Sequence, residues 1–432
     1  MSSEPGPKPG IRQRLLGVLA FLAIGFAPFV LCEGILRAVG YHAPGNPYEA
    51  GFDPKLKVFE RDGDQVVVAP GNRRTWHTQA FALARKPANL RIFAVGDSVT
   101  WGHRGNEFAT PLRAYPELLQ DLLRQQRPGR GDEVLNCGAR TFASERATRV
   151  GQEVLQFSPD AVLANLGTSE HLEADLRADL ARQTQRMPSW LASLRIVEVL
   201  EGWLRSRGTG LSLQQSRERD ASLRAPFVTQ ASLLTGEVER AQLVQTAKAR
   251  LEALARACQA KNVRLVLATV PSNLRFPPFA THFAGPGAQA AGEALIASTG
   301  ALIQAGNARK AEKLLSTALV AHPEAAGLHY RLAQALEKLG DLQRARLSYL
   351  EARDTDACPA RAIGAFNDMV RQLARDMPSV TLVDMEGLFE AEVPDGIPDD
   401  RLFLDNSHPR PAMHLQMAQA LLQTLTQTGV VH

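Results

Sequence analysis

Five short apolar segments alternate along the chain with segments of helical periodicity, and this alternation is the strongest constraint on the fold. The apolar segments are Arg91–Val95, Glu133–Leu135, Ala161–Leu166, Val263–Val270 and Val380–Val383. Tyr115–Gln125 and Arg146–Leu155, which lie between them, have the spacing of amphipathic helices. Short apolar runs separated by helices are typical of buried parallel strands joined by helical crossovers. We therefore predict an α/β fold, a three-layer α/β/α sandwich around a parallel sheet.

The N-terminus has the pattern of a membrane anchor. Residues 1–14 contain three basic residues and one acid, and residues 15–32 contain no charge. This stretch is long enough to span a membrane if the helix continues to residue 39. A cleaved secretory signal is the alternative, but no small-residue cleavage pattern precedes Cys32. The basic flank predicts a cytoplasmic tail over 1–14 and a single-pass anchor over 15–39 in a bacterial cell membrane, with the rest of the chain extracytoplasmic.

The remaining residues divide into a linker and one large domain. Residues 40–90 are rich in Gly, Pro and Asn, which predicts a linker with a short strand at Gln65–Val68. Residues 91–432 form the predicted α/β domain, interrupted by a charged helical insertion at 171–255. That insertion carries an apolar stripe, which more often reflects packing than a substrate lid. The stripe consists of Trp190, Leu191, Leu194, Val197 and Leu200.

A second interruption, at residues 292–359, contains a 34-residue repeat. The matching pairs are Gly306 and Gly340, Ala311 and Ala345, Leu315 and Tyr349, and Ala318 and Ala352. This period, with small residues where paired helices cross, resembles tetratricopeptide repeats. Because two copies are too few for a free-standing array, we expect them to pack against the main domain. Their expected role is structural or the binding of a protein partner.

Composition excludes several other classes of function. A net charge of +4 over 432 residues is small, and no basic run has interleaved aromatic residues, so we predict no nucleic-acid partner. The four cysteines are far apart and lack metal-ligand spacing. The reaction inferred below is expected to need neither a metal nor an organic cofactor. A bridge between Cys258 and Cys358 is left open by the sequence.

The first predicted strand of the domain runs directly into Gly96-Asp97-Ser98. A glycine-flanked turn at a strand end places the Ser98 hydroxyl at the carboxyl edge of the sheet, where open α/β folds have their active sites. The tripeptide alone is weak evidence, because it also occurs in surface turns. A serine hydroxyl needs a nearby imidazole to accept its proton, and the imidazole needs a carboxylate on its other nitrogen.

The far end of the chain supplies both groups. Asp405 precedes His408 by three residues, just before a predicted helix. The alternative is a loop histidine beside an ordinary turn aspartate. His103 and His171 are further candidates for pocket residues.

These motifs resemble those of the SGNH hydrolases, also called GDSL esterases and lipases, over roughly residues 91–170 and 260–425. The matching blocks are Gly96-Asp97-Ser98 with Gly102, Asn136-Cys137-Gly138, Gly167-Thr168-Ser169-Glu170, and Asp405 with His408. The segment Val270–Arg275, followed by two prolines, is similar to that of membrane-anchored members with tetratricopeptide repeats.

The resemblance implies a role for each matching residue. Ser98 would be the nucleophile, His408 the general base and Asp405 the group that orients it. The oxyanion hole would be formed by the backbone N–H groups of Ser98 and Gly138 and by the side chain of Ser169. The family has an asparagine at the position of Ser169, whose hydroxyl has a shorter reach.

The expected function is hydrolysis of a carboxylic ester through an acyl-serine intermediate. The predicted location suggests O-acetyl groups on an envelope polysaccharide as the substrate. Two alternatives remain open at this stage. One is acyl transfer to a sugar hydroxyl by the same triad, and the other is a catalytically weak docking module that acts through its repeats.

Overall fold

The structure, a computed structural model, describes residues 11–39, 51–52, 57–73, 75–102, 113–184, 194–197, 199–200 and 235–432. Residues 1–10 of the predicted cytoplasmic tail, His103, Trp190 and Leu191 lie outside these ranges. The chain divides into two units, one comprising residues 1–45 and 180–218 and the other residues 46–179 and 219–432.

Helices and strands have the following bounds. The strands are β1 Phe59–Asp62, β2 Gln65–Val68, β3 Ala80–Ala82, β4 Arg91–Gly96, β5 Glu133–Gly138, β6 Ala161–Asn165, β7 Arg264–Ala268 and β8 Val380–Val383. The helices are α1 Ile11–Ala38, α2 Ser98–Trp101, α3 Tyr115–Gln126, α4 Ser144–Val154, α5 Glu170–Thr184, α6 Glu237–Ala260, α7 Ala288–Gln304, α8 Ala308–Ala321, α9 Ala326–Lys338, α10 Leu342–Asp354, α11 Gly364–Asp376, α12 Met385–Ala391 and α13 Pro411–Gln427.

In the smaller unit, α1 covers the segment predicted to be an anchor. Phe26, Phe29, Val30 and Leu31 on this helix are each more than half exposed. Its Glu33 carboxylate accepts a hydrogen bond of 3.0 Å from the N–H of Ile196. Across the described ranges, no helix has the length and apolarity that crossing a membrane requires.

The larger unit is built on a five-stranded parallel sheet with the order β5-β4-β6-β7-β8. Alternate residues of β4 face opposite sides: Phe93 and Val95 pack in one apolar cluster, and Ile92 and Ala94 in another. The first cluster is covered by α4, α6 and α11, and the second by α3 and α13. Because both faces are buried, the strands are almost continuously apolar. The predicted α/β fold with a parallel sheet is confirmed.

Part of the predicted linker at 40–90 is folded. β1, β2 and β3 form an antiparallel sheet, in which β1 and β2 are joined by a tight turn where Gly63 has φ +60°. Phe59 and Phe81 are buried in the same cluster as Phe93, with the rings of Phe81 and Phe93 edge to face at 5.5 Å. The glycines and prolines that indicated a linker therefore separate short strands, so residues 59–82 belong to the domain.

The repeat segment consists of α7 to α10, four helices in a row. Gly306 and Gly340 have the same left-handed backbone, with φ of +82° and +81°, in the turns before α8 and α10. Ala311 and Ala345 are fully buried. The apolar core of these helices also contains Leu274, from the loop after β7. The helices thus contact the α/β domain directly, while their assignment to the tetratricopeptide family stays a prediction.

Cys258 and Cys358 do not form a disulfide, since all four cysteines are free in the structure. Burial raises the pKa of both the Cys258 and the Cys358 thiol to about 12, so both stay protonated at neutral pH.

Candidate active site

The topology of the sheet places the candidate site. The chain passes from β4 to β5 on one side and then returns to add β6 on the other side of β4. Such a reversal of strand order leaves a crevice at the carboxyl ends of the two strands. Ser98 follows β4 and Ser169 follows β6, so both lie at this edge of the sheet.

Ser98 is the first residue of α2, in a sharp turn that requires glycine. A Cβ atom on Gly96 would lie 2.0 Å from the Thr100 hydroxyl and 2.6 Å from the Asn165 carbonyl oxygen. Asp97 caps the helix by accepting a hydrogen bond of 2.9 Å from the N–H of Val99. The N–H of a first helical residue has no acceptor within its own helix, so the Ser98 N–H is available for a ligand.

The three predicted triad residues form a hydrogen-bonded chain with His408 in the middle. His408 Nε2 is 2.8 Å from Ser98 Oγ, and His408 Nδ1 is 2.8 Å from Asp405 Oδ2. Asp405 Oδ1 also accepts hydrogen bonds from the backbone N–H groups of Ser407, at 3.0 Å, and His408, at 2.9 Å. The spacing of the Asp-x-x-His motif therefore closes a local turn that presents the carboxylate to the imidazole.

The environment of the triad raises the pKa of His408 and lowers that of Asp405. Both shifts favour the ion pair that forms when His408 accepts a proton. Burial lowers the pKa of His408, but the charge and the hydrogen bond of Asp405 oppose it, and the net pKa is raised from its ordinary value. Burial raises the pKa of Asp405, but charged His408, its hydrogen bond and the backbone N–H groups of Ser407 and His408 together hold that pKa well below its usual range. The Asp97 carboxyl adds to the rise at His408, although burial raises the pKa of Asp97 itself.

Gly138 and Ser169 are the other predicted members of the oxyanion hole. The N–H of Gly138 donates a hydrogen bond of 2.9 Å to Asn136 Oδ1, and its role in the oxyanion hole stays a prediction. Gly138 is also required for packing, because a Cβ there would lie 2.5 Å from the backbone nitrogen of Trp101. Ser169 is buried just before α5, and its hydroxyl makes no hydrogen bond within the described part of the chain. Its side chain is therefore free to act as a donor.

Two residues near the site were missed by the sequence analysis. Asn136 donates from Nδ2 to the Thr100 carbonyl at 2.8 Å and to Glu117 at 2.7 Å, which ties β5 to α2 and α3. Thr141 is buried and has φ +63°, a strained conformation for a β-branched residue and one that is concentrated at functional sites. Neither feature has a signal in a single sequence.

Two further histidines of the described ranges, His171 and His414, lie outside the hydrogen-bonded triad. His171 is buried on α5, with Nε2 3.6 Å from Asp175. His414 on α13 is fully buried and stacks on the Tyr115 ring, and burial lowers its pKa to about 3, so it stays neutral. In the ranges that the structure describes, no group of His, Cys, Asp and Glu is arranged to hold a metal ion.

Comparisons with known proteins give structural neighbours only. No protein-family model and no curated protein matches the chain. It is similar to the acetyl xylan esterase AlAXEase, with 12% identity, a TM-score of 0.35, and 77% of this chain and 98% of that chain covered. A variant of the acetyl xylan esterase Axe2 from Geobacillus stearothermophilus has 14% identity, a TM-score of 0.37, and coverage of 78% and 94%.

A GDSL-like lipase from Bacteroides thetaiotaomicron has 10% identity, a TM-score of 0.34, and coverage of 81% and 93%. These neighbours are named as esterases or lipases, which are the classes that the motifs resemble. With every TM-score below 0.5, the assignment has to rest on the residues of this chain.

Proposed function

We propose that this protein is a serine hydrolase of the SGNH/GDSL kind, which cleaves carboxylic esters through an acyl-serine intermediate. The observation that carries the proposal is the continuous hydrogen-bonded chain from Ser98 through His408 to Asp405 at the carboxyl edge of the sheet. Catalytic groups of this type are recognised by geometry and role, and both are present here.

The reaction follows from this geometry. Ser98 Oγ attacks the ester carbonyl carbon while its proton passes to His408 Nε2, 2.8 Å away. The charge that develops on the imidazole is stabilised by Asp405, and the charge on the carbonyl oxygen by the Ser98 N–H and the Ser169 hydroxyl. His408 then protonates the departing alcohol oxygen. A water molecule, deprotonated by His408, attacks the acyl-serine carbonyl carbon. His408 then returns the proton to Ser98 Oγ as the bond between Ser98 Oγ and the acyl carbon breaks and the acid leaves.

The substrate class and the location are part of the same proposal. We propose the anchor role for residues 15–39 on the sequence alone, from the uncharged stretch and the basic flank, although no helix in the described ranges meets the length and apolarity of a membrane span. With the domain outside the cytoplasm, O-acetyl groups on an envelope glycan are the accessible esters. A reporter enzyme active only in the periplasm, fused after Gly51, should be active. Activity from a cytoplasmic reporter alone would reject both the topology and this substrate class.

Two alternative functions are compatible with the same site, namely acyl transfer and a docking module. In acyl transfer, a sugar hydroxyl replaces water in the second step, and an acetylated sugar replaces free acetate as the product. In the docking module, Ser169 in place of an asparagine leaves the oxyanion poorly held and the repeats bind a partner. The intact triad favours an active enzyme over this second alternative.

Labelling with a fluorophosphonate probe tests the proposal. Wild-type protein should be labelled, and Ser98→Ala should abolish both labelling and ester turnover. Ser348→Ala on α10 is the matched control, since Ser98 and Ser348 are both 8% exposed and Ser348 lies in the repeats. His408→Ala should cost about as much as Ser98→Ala, and the double variant little more, because triad members act as a unit. Labelling of the Ser98→Ala protein at the wild-type level would reject the nucleophile.

A further inference from the structure

The loop that follows β7 is hydrogen-bonded to the segment that contains Asp405. Asn273, which is fully buried in this loop, donates from Nδ2 to the Asp405 carbonyl oxygen at 3.0 Å and to Asp400 Oδ1 at 2.7 Å. Its backbone N–H donates to the Asn406 carbonyl oxygen at 3.0 Å. Asn273 therefore makes three hydrogen bonds to residues 400–406, two of them to the backbone beside the triad carboxylate.

Asn273 is itself held firmly in place. Its carbonyl oxygen accepts a hydrogen bond of 2.7 Å from Arg361, a fully buried arginine. The next residue, Leu274, donates its N–H to the Pro398 carbonyl oxygen at 2.9 Å. The loop after β7 is thus anchored on one side by Arg361 and on the other by residues 398–406.

We propose that Asn273 is a positioning residue of the triad, which holds the Asp405 backbone so that the carboxylate faces His408 Nδ1. The inference rests on the proposed function of Ser98, Asp405 and His408. Among the described residues Asn273 makes no hydrogen bond with Ser98 or His408, and its link to the triad is the hydrogen bond to the Asp405 carbonyl oxygen.

Removing the Asn273 side chain has a defined consequence. The Asp405 carbonyl and the Asp400 carboxylate lose their shared donor, and the turn from 405 to 408 gains freedom to move. A misplacement of about 1 Å at a catalytic group can cost about a hundred-fold in rate. The attraction that Asp405 exerts on protonated His408 weakens at the same time.

The charged and titratable groups around His408 determine what a pH titration reports. Within the described ranges they include Asp405 on its own loop, Asp97 at the turn after β4, and His414 on α13. Of these three groups, Asn273 hydrogen-bonds only to Asp405 in these ranges, and His414 stays neutral. A change in the His408 titration on altering Asn273 is therefore assigned to Asp405.

The experiment compares wild type, Asn273→Ala and Asn367→Ala. Asn367 is the matched control, because it is also fully buried and makes two hydrogen bonds to Val270 in the same loop, at 2.8 and 2.9 Å, but none to residues 398–406. Asn273→Ala should lower kcat about ten- to a hundred-fold with less than a two-fold change in KM. The acid limb of its kcat/KM profile should move at least about half a pH unit lower. Asn367→Ala should lower the Tm but leave the acid limb unchanged.

The His408 titration, followed by NMR with labelled histidine, gives a readout that needs no turnover. A lower His408 pKa in Asn273→Ala than in wild type and Asn367→Ala supports the positioning role even if wild type proves inactive, in which case only the proposed function fails. An unchanged His408 pKa in Asn273→Ala overturns the positioning role, whether or not wild type is active. If Asn273→Ala does not fold, Asn273→Ser is measured instead, with the same outcomes, because a hydroxyl is too short to reach both acceptors.

Discussion

The substitution Asp405→Asn tests the proposed mechanism most sharply, because the structure fixes how the new side chain must sit. Asp405 Oδ1 accepts the backbone N–H groups of Ser407 and His408, at 3.0 and 2.9 Å. An asparagine keeps these two bonds only if its amide oxygen takes the Oδ1 position. Its amide NH2 then occupies the Oδ2 position, 2.8 Å from His408 Nδ1.

That arrangement favours the wrong tautomer of the imidazole. His408 Nδ1 lies 2.8 Å from the Oδ2 position and 2.9 Å from the Oδ1 position, so the amide NH2 competes with the amide oxygen for this nitrogen. When Nδ1 accepts from the NH2 group, the ring proton moves to Nε2. Nε2 then presents a proton to Ser98 Oγ, 2.8 Å away, and cannot accept the hydroxyl proton. Loss of the correct tautomer costs about 10⁴-fold in kcat, which corresponds to about 5.5 kcal/mol of barrier.

The assay is ester turnover and probe labelling at a pH above the His408 pKa, with folding followed by circular dichroism. The fold should persist, because both backbone hydrogen bonds remain. Asp384→Asn is a matched control, since Asp384 also accepts a backbone N–H, that of Gly387 at 3.1 Å, but lies outside the triad. A loss smaller than about ten-fold in Asp405→Asn would refute the role given to this carboxylate, as would an equal loss in Asp384→Asn.

Two further predictions concern the segment after β6. Ser169→Ala should lower kcat about ten- to a hundred-fold with little change in KM, because the hydroxyl bonds the oxyanion mainly in the transition state; equal steady-state kcat for wild type, Ser169→Ala and Ser169→Asn would remove this position from the oxyanion hole. Glu170, which accepts two hydrogen bonds from Ser144, has a pKa raised to about 8 by burial and by nearby Glu173. Because the unfolded chain releases this proton near pH 4.5 and the folded chain near pH 8, Glu170 should lower stability as the pH rises between these values. Thermal melts from pH 5 to 9 should show a flatter dependence for Glu170→Gln, and an identical slope would contradict the assignment.

Local sequence patterns account for what could be predicted. The strands of the parallel sheet are buried on both faces, so their apolar runs stand out without any knowledge of the fold. Asp405 and His408 are three residues apart and close a turn of their own, and Ser98 is placed by the end of β4. Each of these features depends on neighbours in the chain, and the site could therefore be assembled from motifs.

Features that depend on tertiary contacts could not be predicted. Nothing in the sequence indicates that the Asn136 amide reaches the Thr100 carbonyl oxygen and the Glu117 carboxylate on other elements. Phe59 and Phe81 lie on short strands between turn residues, and their burial depends on Phe93 and Phe157 far along the chain. The contacts of Asn273 cross 127 to 132 residues. A single sequence does not show which distant residues contact one another in this way.

The same loop after β7 links the repeats to the candidate site. Arg275 pairs with Glu337 on α9 and with Asp395 and Asp399, in the loop that leads to Asp405. The arginine side chain is about a quarter exposed, so each ion pair by itself contributes little to stability. The same guanidinium also donates a hydrogen bond to the Ile397 carbonyl oxygen, which fixes the loop backbone. The repeats are therefore part of the support for the Asp405 loop, and excising 292–359 would remove Glu337 and the apolar partners of Leu274 together. A partner bound to the repeats would influence the triad only if it bound more tightly to one position of α9 than to another, because coupling between sites requires such a difference in affinity.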